Sequence, residues 1–407
     1  MTTADRPLVL LVGTGHKDYR RYLLEEIAPH YRLHLVSPAA PTWEEPYLAG
    51  STRLADLSDA DALTVAAKDA GDVSGVLCWD EAFVLPVARL AEALGLPGPG
   101  SPAVAACRDK HLTRTALAAA GVAQPESVLV ASVEDALAAA AGIGYPVVLK
   151  PRALAASLGV VRVDTPGQLE ANFAFARDTT VPGAPAYEVS VLVERFADGP
   201  EISVDAVVHR GRVTPMVLAR KQLGYPPYFE ELGHLVDAAD PLLRDEAIAT
   251  ILQRTHDALG FADGVTHTEL RLTTGGPVVI EVNARLGGDL IPYLGSRATG
   301  VTPGLAAAAA CCGIQPRVRP GRALTAGVRF LYAEHEDTRI ATIGFAGEPL
   351  PAAVDRMVLV AGPGTVASPP PKGTTMGRLG FVTAVAPTAA EVTAALDAAA
   401  ADLRVTS

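Results

Sequence analysis

The sequence predicts a mixed α/β protein that opens on a parallel sheet and closes with a further α+β segment. Three observations carry this expectation. Strand-like apolar runs alternate with helical stretches over the first hundred residues, a Gly- and Pro-rich break near residue 100 ends that pattern, and long alternating strands dominate from about residue 187. A length of 407 residues suits two or three domains. Hydrophobic residues make up 49% and charged residues 19%, the balance of a well-buried globular chain rather than a disordered one.

In order, LVLLVG is a strand, YRRYLLEEIAPH a helix, RLHLVS a strand, VSGVLCW a strand and AFVLPVARLAEALG a helix, which together describe an open parallel sheet. GTGHKD after the first strand is half a dinucleotide fingerprint: Asp18 stands where the third glycine belongs, so a tight strand-to-helix turn is the better reading. GLPGPGSPAVAACRDK breaks the pattern and starts a helix, placing a boundary near residue 103. A small α/β segment follows, with helices in HLTRTALAAAG and EDALAAAAG and strands in SVLVAS and YPVVLKP. Beyond the strand-rich stretch and its HRGR turn come a long helix near residues 241 to 259 and a hairpin, THTELRLTTGGPVVIEVNARLGGD. A last segment from about residue 315 is interrupted by SPPPKGTT and closes with the strand GFVTAVA and the helix TAAEVTAALDAAAADL.

Composition excludes some functions. A net charge of −11 without a basic stretch argues against nucleic acid as a main partner. Cys78, Cys107, Cys311 and Cys312 form no Cys-x-x-Cys pair and read as small core residues of a reduced, cytoplasmic protein. The N-terminal apolar run between Pro7 and Gly13 is too short for a signal or membrane segment, and the Ala-rich tracts are broken helices, so no membrane partner is expected.

Four places can carry chemistry. Lys150 ends an apolar strand, where an ammonium is costly unless an anion meets it, although a strand-end lysine commonly snorkels to solvent. Ser157 and Gly159 form a turn able to offer N–H groups to phosphate oxygens. Glu194 and Glu201 flank a strand edge, where a carboxylate can accept both hydroxyls of a ribose; solvated acids near a turn are the plainer alternative. In the hairpin, His267, Glu269 and Arg271 share one face, as do Glu281, Asn283 and Arg285. Glu269 can oppose Glu281 only with an odd loop or a bulge. Two facing carboxylates repel, and a divalent cation resolves the conflict. Carboxylate and amide oxygens are hard donors, suited to Mg²⁺ held jointly with phosphates. The competing reading is an exposed hairpin salt-bridged through Arg271 and Arg285.

Taken in sequence, Lys110 in CRDKHLTR, Lys150 in VVLKP, Ser157 with Gly159, ERFADGPE and TELR…IEVNARLGG resemble the ATP-grasp carboxylate–amine ligases. EVNARLGGDLIP preceded by FEELGHLVD is most similar to the L-amino acid ligase branch. The resemblance covers roughly residues 1 to 310 and implies an ATP-grasp fold in three parts: 1–103, 104–314 with a lid at about 121–186, and a C-terminal domain at 315–407. It implies that Lys110, Lys150, Ser157 and Gly159 hold the phosphates of ATP, that Glu194, Arg195 and Phe196 meet the adenine, and that Glu201 meets the ribose. Glu269, Glu281 and Asn283 would bind Mg²⁺, with Mn²⁺ an option. Arg285 would face the reacting carboxyl group, Lys150 and Arg285 being the catalytic pair, and His234, Gly287 and Gly288 would contact substrate. The loop RALAASLGV carries fewer glycines than many relatives of that family.

The implied activity is ATP-dependent amide formation between two amino acids through an acyl phosphate, releasing ADP and phosphate, in dipeptide or natural-product biosynthesis. Amino acids are the expected partners, and a homodimer is an open option. An ATP-grasp carboxylase or purine-pathway ligase is the first alternative and a non-catalytic ATP-binding protein the second. Tyr225, Tyr228 and Phe229, close to His234 in sequence, favour a pocket for an apolar side chain over either.

Overall fold

The computed structural model describes residues 5–181, 184–347 and 349–407; residues 1–4, 182–183 and 348, which fall within the expected first, lid and last segments, lie outside the described residues. The chain opens with β1 (Leu8–Val12), α1 (Lys17–Ile27), β2 (Arg32–Ser37), β3 (Gly50–Arg53), α2 (Ala60–Ala70), β4 (Val73–Leu77), α3 (Val84–Ala93) and α4 (Ser101–Arg108). The four strands form the expected open sheet, in the order β3-β2-β1-β4 and parallel throughout. All five residues of β1 are buried because both faces are covered. Leu10 and Val12 pack toward Leu63 and Leu90, while Val9 and Leu11 pack with Leu23, Leu24 and the alanines of a later helix.

The second unit runs through α5 (Lys110–Ala119), β5 (Ser127–Val130), α6 (Val133–Ile143), β6 (Val147–Pro151), β7 (Val161–Val163), α7 (Pro166–Asp178) and β8 (Val191–Arg195). Its strands make a small antiparallel sheet, β5-β8-β6-β7, with α6 and α7 packed on it through a core of their own. Local sequence sets the helix starts: Asp109, Ser132 and Thr165 each accept a first-turn N–H, and Pro166 takes a position where no N–H is needed.

The main sheet is built from β9 (Glu201–His209), β10 (Arg212–Gly224), β11 (Glu230–Asp237), α8 (Glu246–Leu259), β12 (Gly264–Thr273), β13 (Gly276–Asn283), α9 (Ile291–Thr299) and α10 (Pro303–Cys311). After these come β14 (Thr325–Leu331), β15 (Thr338–Arg339), β16 (Thr342–Phe345), β17 (Val354–Leu359), β18 (Val366–Ala367), β19 (Gly380–Ala386), α11 (Ala389–Ala401) and β20 (Leu403–Thr406). Eight of these strands form one antiparallel sheet in the order β13-β12-β9-β10-β11-β14-β19-β17. Of the strands after residue 315, β14, β19 and β17 therefore extend the sheet directly, β11 pairing with β14, while β15 pairs with β18 and β16 with β20.

One local expectation changes, and the hairpin takes the bulge rather than the odd loop. The long helix over 241–259 is a 3₁₀ turn, Pro241–Arg244, followed by α8, because Asp245 turns out of helical geometry and caps the amides of Ala247 and Ile248. The hairpin turn has two residues, Thr274 and Gly275, and a bulge at Ile280 restores the parity. Glu269 thereby opposes Glu281, and His267 opposes Asn283. No described helix is long and apolar enough to cross a membrane, and the four cysteines are free.

Glu26 ties α1 to the later helices. It accepts from Ser296 Oγ at 2.6 Å and Gly304 N at 2.8 Å, and burial pushes its carboxyl up to about 7 against those bonds. The folded protein thus keeps a proton that the unfolded chain, whose carboxyl has the ordinary value of 4.5, releases sooner. Stability falls as pH rises from about 4.5 to 7 and stays lower above. Glu26→Gln is expected to remove this slope and to raise stability at pH 8 by up to roughly 3 kcal/mol. Chemical denaturation of both proteins at pH 5 and pH 8 measures it; an equal slope in the variant would discount Glu26 as its source.

Candidate active site

A cavity between the small sheet, the main sheet and the last segment encloses roughly 1190 Å³ including its mouth. At its inner end, Lys150 and Glu194 come from neighbouring strands β6 and β8. Lys150 Nζ lies 2.5 Å from Glu194 Oε2, and Arg114 grips the same carboxylate with Nε at 2.7 Å and Nη2 at 3.1 Å. Burial raises the Glu194 carboxyl, but Arg114 and Lys150 outweigh it and hold the group at about 2. Burial lowers the Lys150 ammonium to about 8; Glu194 opposes the shift, and Arg114 and Lys110 add to it.

Lys110, the first residue of α5, reaches Glu281 Oε1 at 3.1 Å and the carbonyl of Leu154. Its helix start is fixed on the loop after β6, since the capping carboxylate of Asp109 also takes the Arg152 guanidinium at 2.7–3.1 Å. In that loop Ala156 and Ser157 line the cavity with φ of 58° and 54°. Two side-chain-bearing residues hold left-handed geometry here in place of the missing glycines, a strained arrangement. Gly159 has φ of 73°, and a Cβ there would sit 2.7 Å from Pro151.

The expected base-binding segment is partly committed elsewhere. The Glu194 carboxylate lines the cavity but is engaged by Arg114 and Lys150, as the Glu201 carboxylate is by Lys221 and Arg271. The amides of Arg195 and Phe196 donate to Glu126 O and Pro146 O, and the Arg195 guanidinium reaches outward to Glu126 at 2.7 Å. What the segment offers the cavity is chiefly the Phe196 ring, stacked on Phe229 with centroids 6.3 Å apart and covered by Arg162 at 4.3 Å. Tyr225 and Tyr228 do not line the cavity: Tyr228 packs on Phe175 in the small sheet's core and Tyr225 is exposed near Tyr332. Only Phe229 of the expected aromatic trio reaches the cavity, beside Phe196, so these rings do not form an apolar side-chain pocket.

On the main sheet, one ammonium joins three strands. Lys221, on β10 and 2% exposed at its side chain, lies 2.8 Å from Glu201, 2.7 Å from Glu231 and 2.7 Å from Glu269. Burial opposes its charge, yet the three carboxylates hold its pKa well above the usual lysine range. Arg271 takes the other oxygen of Glu201 at 2.8 Å. His267, Glu269, Glu281 and Asn283 all line the cavity. Despite burial, Asp205 and Glu269 push the His267 imidazole up to about 9. Hard oxygen donors on one face, two of them carboxylates, fit a Mg²⁺ ion that is shared with an anionic ligand.

Arg285 follows β13 and faces the same cavity. Glu81, just beyond the carboxyl end of β4, holds Arg285 Nε at 2.7 Å and is itself held by Arg108 at 3.0 Å. Gly288 lines the cavity, whereas Gly287 lies behind it and donates to Asp205. His234 is fully buried and does not line the cavity; its Nε2 lies 3.1 Å from Glu231 and 3.6 Å from Asp289, and those two carboxylates are the ones exposed to a ligand. A ligand in the cavity would meet Glu231 and Asp289 rather than His234 itself. Asp289 is clamped by Arg378 of the last segment at 2.7 and 2.8 Å, and Thr375 closes that end of the wall.

Sequence reasoning missed Glu81, Arg114, Asp205, Lys221, Asp289 and Arg378. Two left a readable signal. An acid just past a parallel strand sits where open sheets bind ligands, and Arg114 is four residues from Lys110 on the same helix face.

Residues 143–293 match the model of the ATP-grasp domain. The chain is 31% identical over 396 residues to an uncharacterized protein of Sinorhizobium fredii, covering 94% of this chain and 79% of that one. It is 30% identical over 245 residues to an alanine–anticapsin ligase of Bacillus subtilis, covering 54% of this chain; it spans only about half (50%) of that relative. Its fold matches the crystal structure of an L-amino acid ligase from Bacillus licheniformis with a TM-score of 0.79 and 24% identity, covering 98% of each chain. With a cavity of opposed carboxylates, paired lysines and an arginine on that fold, the chain belongs to the ATP-grasp ligases, and its overall fold is that of the L-amino acid ligase.

Proposed function

We propose that the protein joins two amino acids by an amide bond, activating the first as an acyl phosphate and releasing ADP and phosphate. The observation that carries this is the meeting, in one cavity, of the Glu269–Glu281 pair and Asn283 with Arg285, opposite Lys110 and Lys150. A carboxylate is a poor electrophile, and phosphorylation makes it reactive toward an amine. Lys110, Lys150 and the amides around Ser157 would hold the phosphates, Phe196 the base and Glu201 the ribose. Glu269, Glu281 and Asn283 would hold Mg²⁺, which neutralises charge between the outer phosphates. Arg285 would polarise the acyl oxygen, and Gly288 would leave room for the substrate beside it. Glu231 and Asp289 stand where an ammonium group of the first substrate would be met.

The lid at about 121–186 would close over an intermediate that water destroys. The division at residues 103 and 314 and a cytoplasmic location belong to the same reading. Purified protein with ATP, Mg²⁺ and pairs of the twenty amino acids should release phosphate only with certain pairs. Phosphate release that requires bicarbonate or a ribotide instead would favour the carboxylase or purine-pathway alternative.

Lys150 gives this reading a pH signature. With its ammonium drawn down to about 8 in the free protein, it is neutral above that pH, and a bound phosphate favours the charged form. ATP affinity should be flat below pH 8 and then weaken by up to about tenfold per pH unit until the bound-state value is reached. Calorimetric titration at pH 9 in two buffers of different ionisation enthalpy should show proton uptake that Lys150→Met loses. Equal uptake in that variant would assign the proton to another group.

A further inference from the structure

Asp205 is a buried acid that the reaction scheme above does not use. It lies on β9, directly opposite His267 on β12, and has no solvent exposure. Its hydrogen-bond donors among the described residues are two. His267 Nδ1 lies 2.7 Å from Oδ1, and the amide of Gly287 lies 3.2 Å from each oxygen. The first leads to the carboxylate hairpin, since His267 Nε2 is 3.4 Å from Glu269 Oε1. The second leads to the substrate wall, since Gly288 and Asp289 follow Gly287 and line the cavity. Arg20 grips the same residue through its carbonyl, donating to Gly287 O at 3.2 Å.

The fit leaves no slack. A Cβ on Gly287 would meet His267 Nδ1 at 2.8 Å and Asp205 Oδ1 at 3.0 Å, so residue 287 must be glycine for the acid, the imidazole and the loop to meet. A fully buried carboxylate is a poor way to gain stability, because apolar residues of similar volume serve as well or better. A shared acceptor that orients a ligand-holding side chain through an imidazole is, by contrast, a recurrent way of tuning metal affinity.

We propose that Asp205 is a positioning residue that couples the metal-binding hairpin, through His267, to the acid-substrate loop, through the Gly287 amide. The coupling rests on the Mg²⁺ assignment above. It sets Glu269 and the wall at Gly288 in one fixed relation, so that the metal and the reacting carboxyl group are registered by a single side chain. The two arms separate by substitution. His267→Gln breaks only the path to Glu269, whereas Asp205→Asn weakens both.

The experiment is Mn²⁺ binding in the presence of ADP, followed by electron paramagnetic resonance without amino acids, beside KM values at saturating metal. Asp205→Asn and His267→Gln should each weaken Mn²⁺ by about tenfold or more, and the double variant should be no worse than the single ones. Asp205→Asn alone should also raise KM for the activated amino acid. Unchanged Mn²⁺ affinity in both variants, with only a lower melting temperature, would overturn the proposal and leave the proposed function standing. Where Asp205→Asn does not fold, His267→Gln decides the metal arm by itself. Absence of ADP-dependent Mn²⁺ binding in the unsubstituted protein would instead overturn the metal assignment, and the coupling with it.

Discussion

Arg285→Ala should cut the transfer of ¹⁸O from a labelled substrate carboxylate to inorganic phosphate by about two to three orders of magnitude, on the order of 3–4 kcal/mol of barrier. The guanidinium lies in the cavity beside Gly288 and close to Glu281, where negative charge would develop as the carboxylate attacks the γ-phosphate and again as the amine attacks the acyl group. Its charge is fixed: burial disfavours it, but Glu81 and Glu281 raise its pKa further. The substitution also leaves Glu81 with Arg108 alone, so its melting temperature must be measured in parallel. Arg285→Lys keeps the charge but not the fork that meets Glu81, and should fall between the two. ATP binding should change little, because the phosphate-facing lysines remain. Label appearing in AMP would refute the acyl phosphate, and undiminished transfer would remove Arg285 from the reacting centre.

The second large effect concerns stability rather than rate. Lys221→Met should cost about 3–5 kcal/mol, because it strips the shared cation from three buried carboxylates at once. Glu201 keeps Arg271 and Glu269 keeps His267, whereas Glu231 keeps only His234 beside it. The variant should therefore regain stability as the pH falls, when one of the crowded acids can take a proton. Mg²⁺ with ADP should stabilise the variant more than the parent, since the cation replaces the missing charge. Urea denaturation at pH 5.5 and pH 8, with and without Mg²⁺ and ADP, provides the numbers. A loss under about 1 kcal/mol that does not vary with pH would mean that the three acids find other partners.

What the sequence disclosed follows from range. The hairpin was legible because strand parity is a local rule: His267, Glu269, Glu281 and Asn283 had to share a face once a bulge was allowed, and Ile280 supplies that bulge. The parallel opening sheet was legible for a similar reason, as β1 announces itself by an unbroken apolar run and β2 by an alternating one. Lys221 was not, because its meaning arises only where β9, β10, β11 and β12 converge, and no spacing along the chain encodes that meeting. Asp205 was hidden in the same way. Tyr225 and Tyr228 misled because closeness to His234 in sequence does not fix direction: the turn between β10 and β11 sends one ring outward and the other into the small sheet's core. The last segment read as a further domain because its own strands and helix are self-consistent; its pairing with β11 is a long-range choice.

That pairing bears on synthesis. On the ribosome β11 emerges long before β14, and until Thr325–Leu331 arrives its outer edge, Gly233–Asp237, has no strand to bond. A nascent chain halted between the two therefore presents an unpaired strand whose open N–H and C=O groups invite another copy. Segments made earlier can fold as they appear, since the parallel sheet and the small sheet draw all their strands from residues before 200. Expression conditions that slow elongation after residue 240 should thus favour aggregates over soluble protein, and a chain ended near residue 315 should not be rescued by supplying the remainder as a separate peptide unless it is present while β11 is still open.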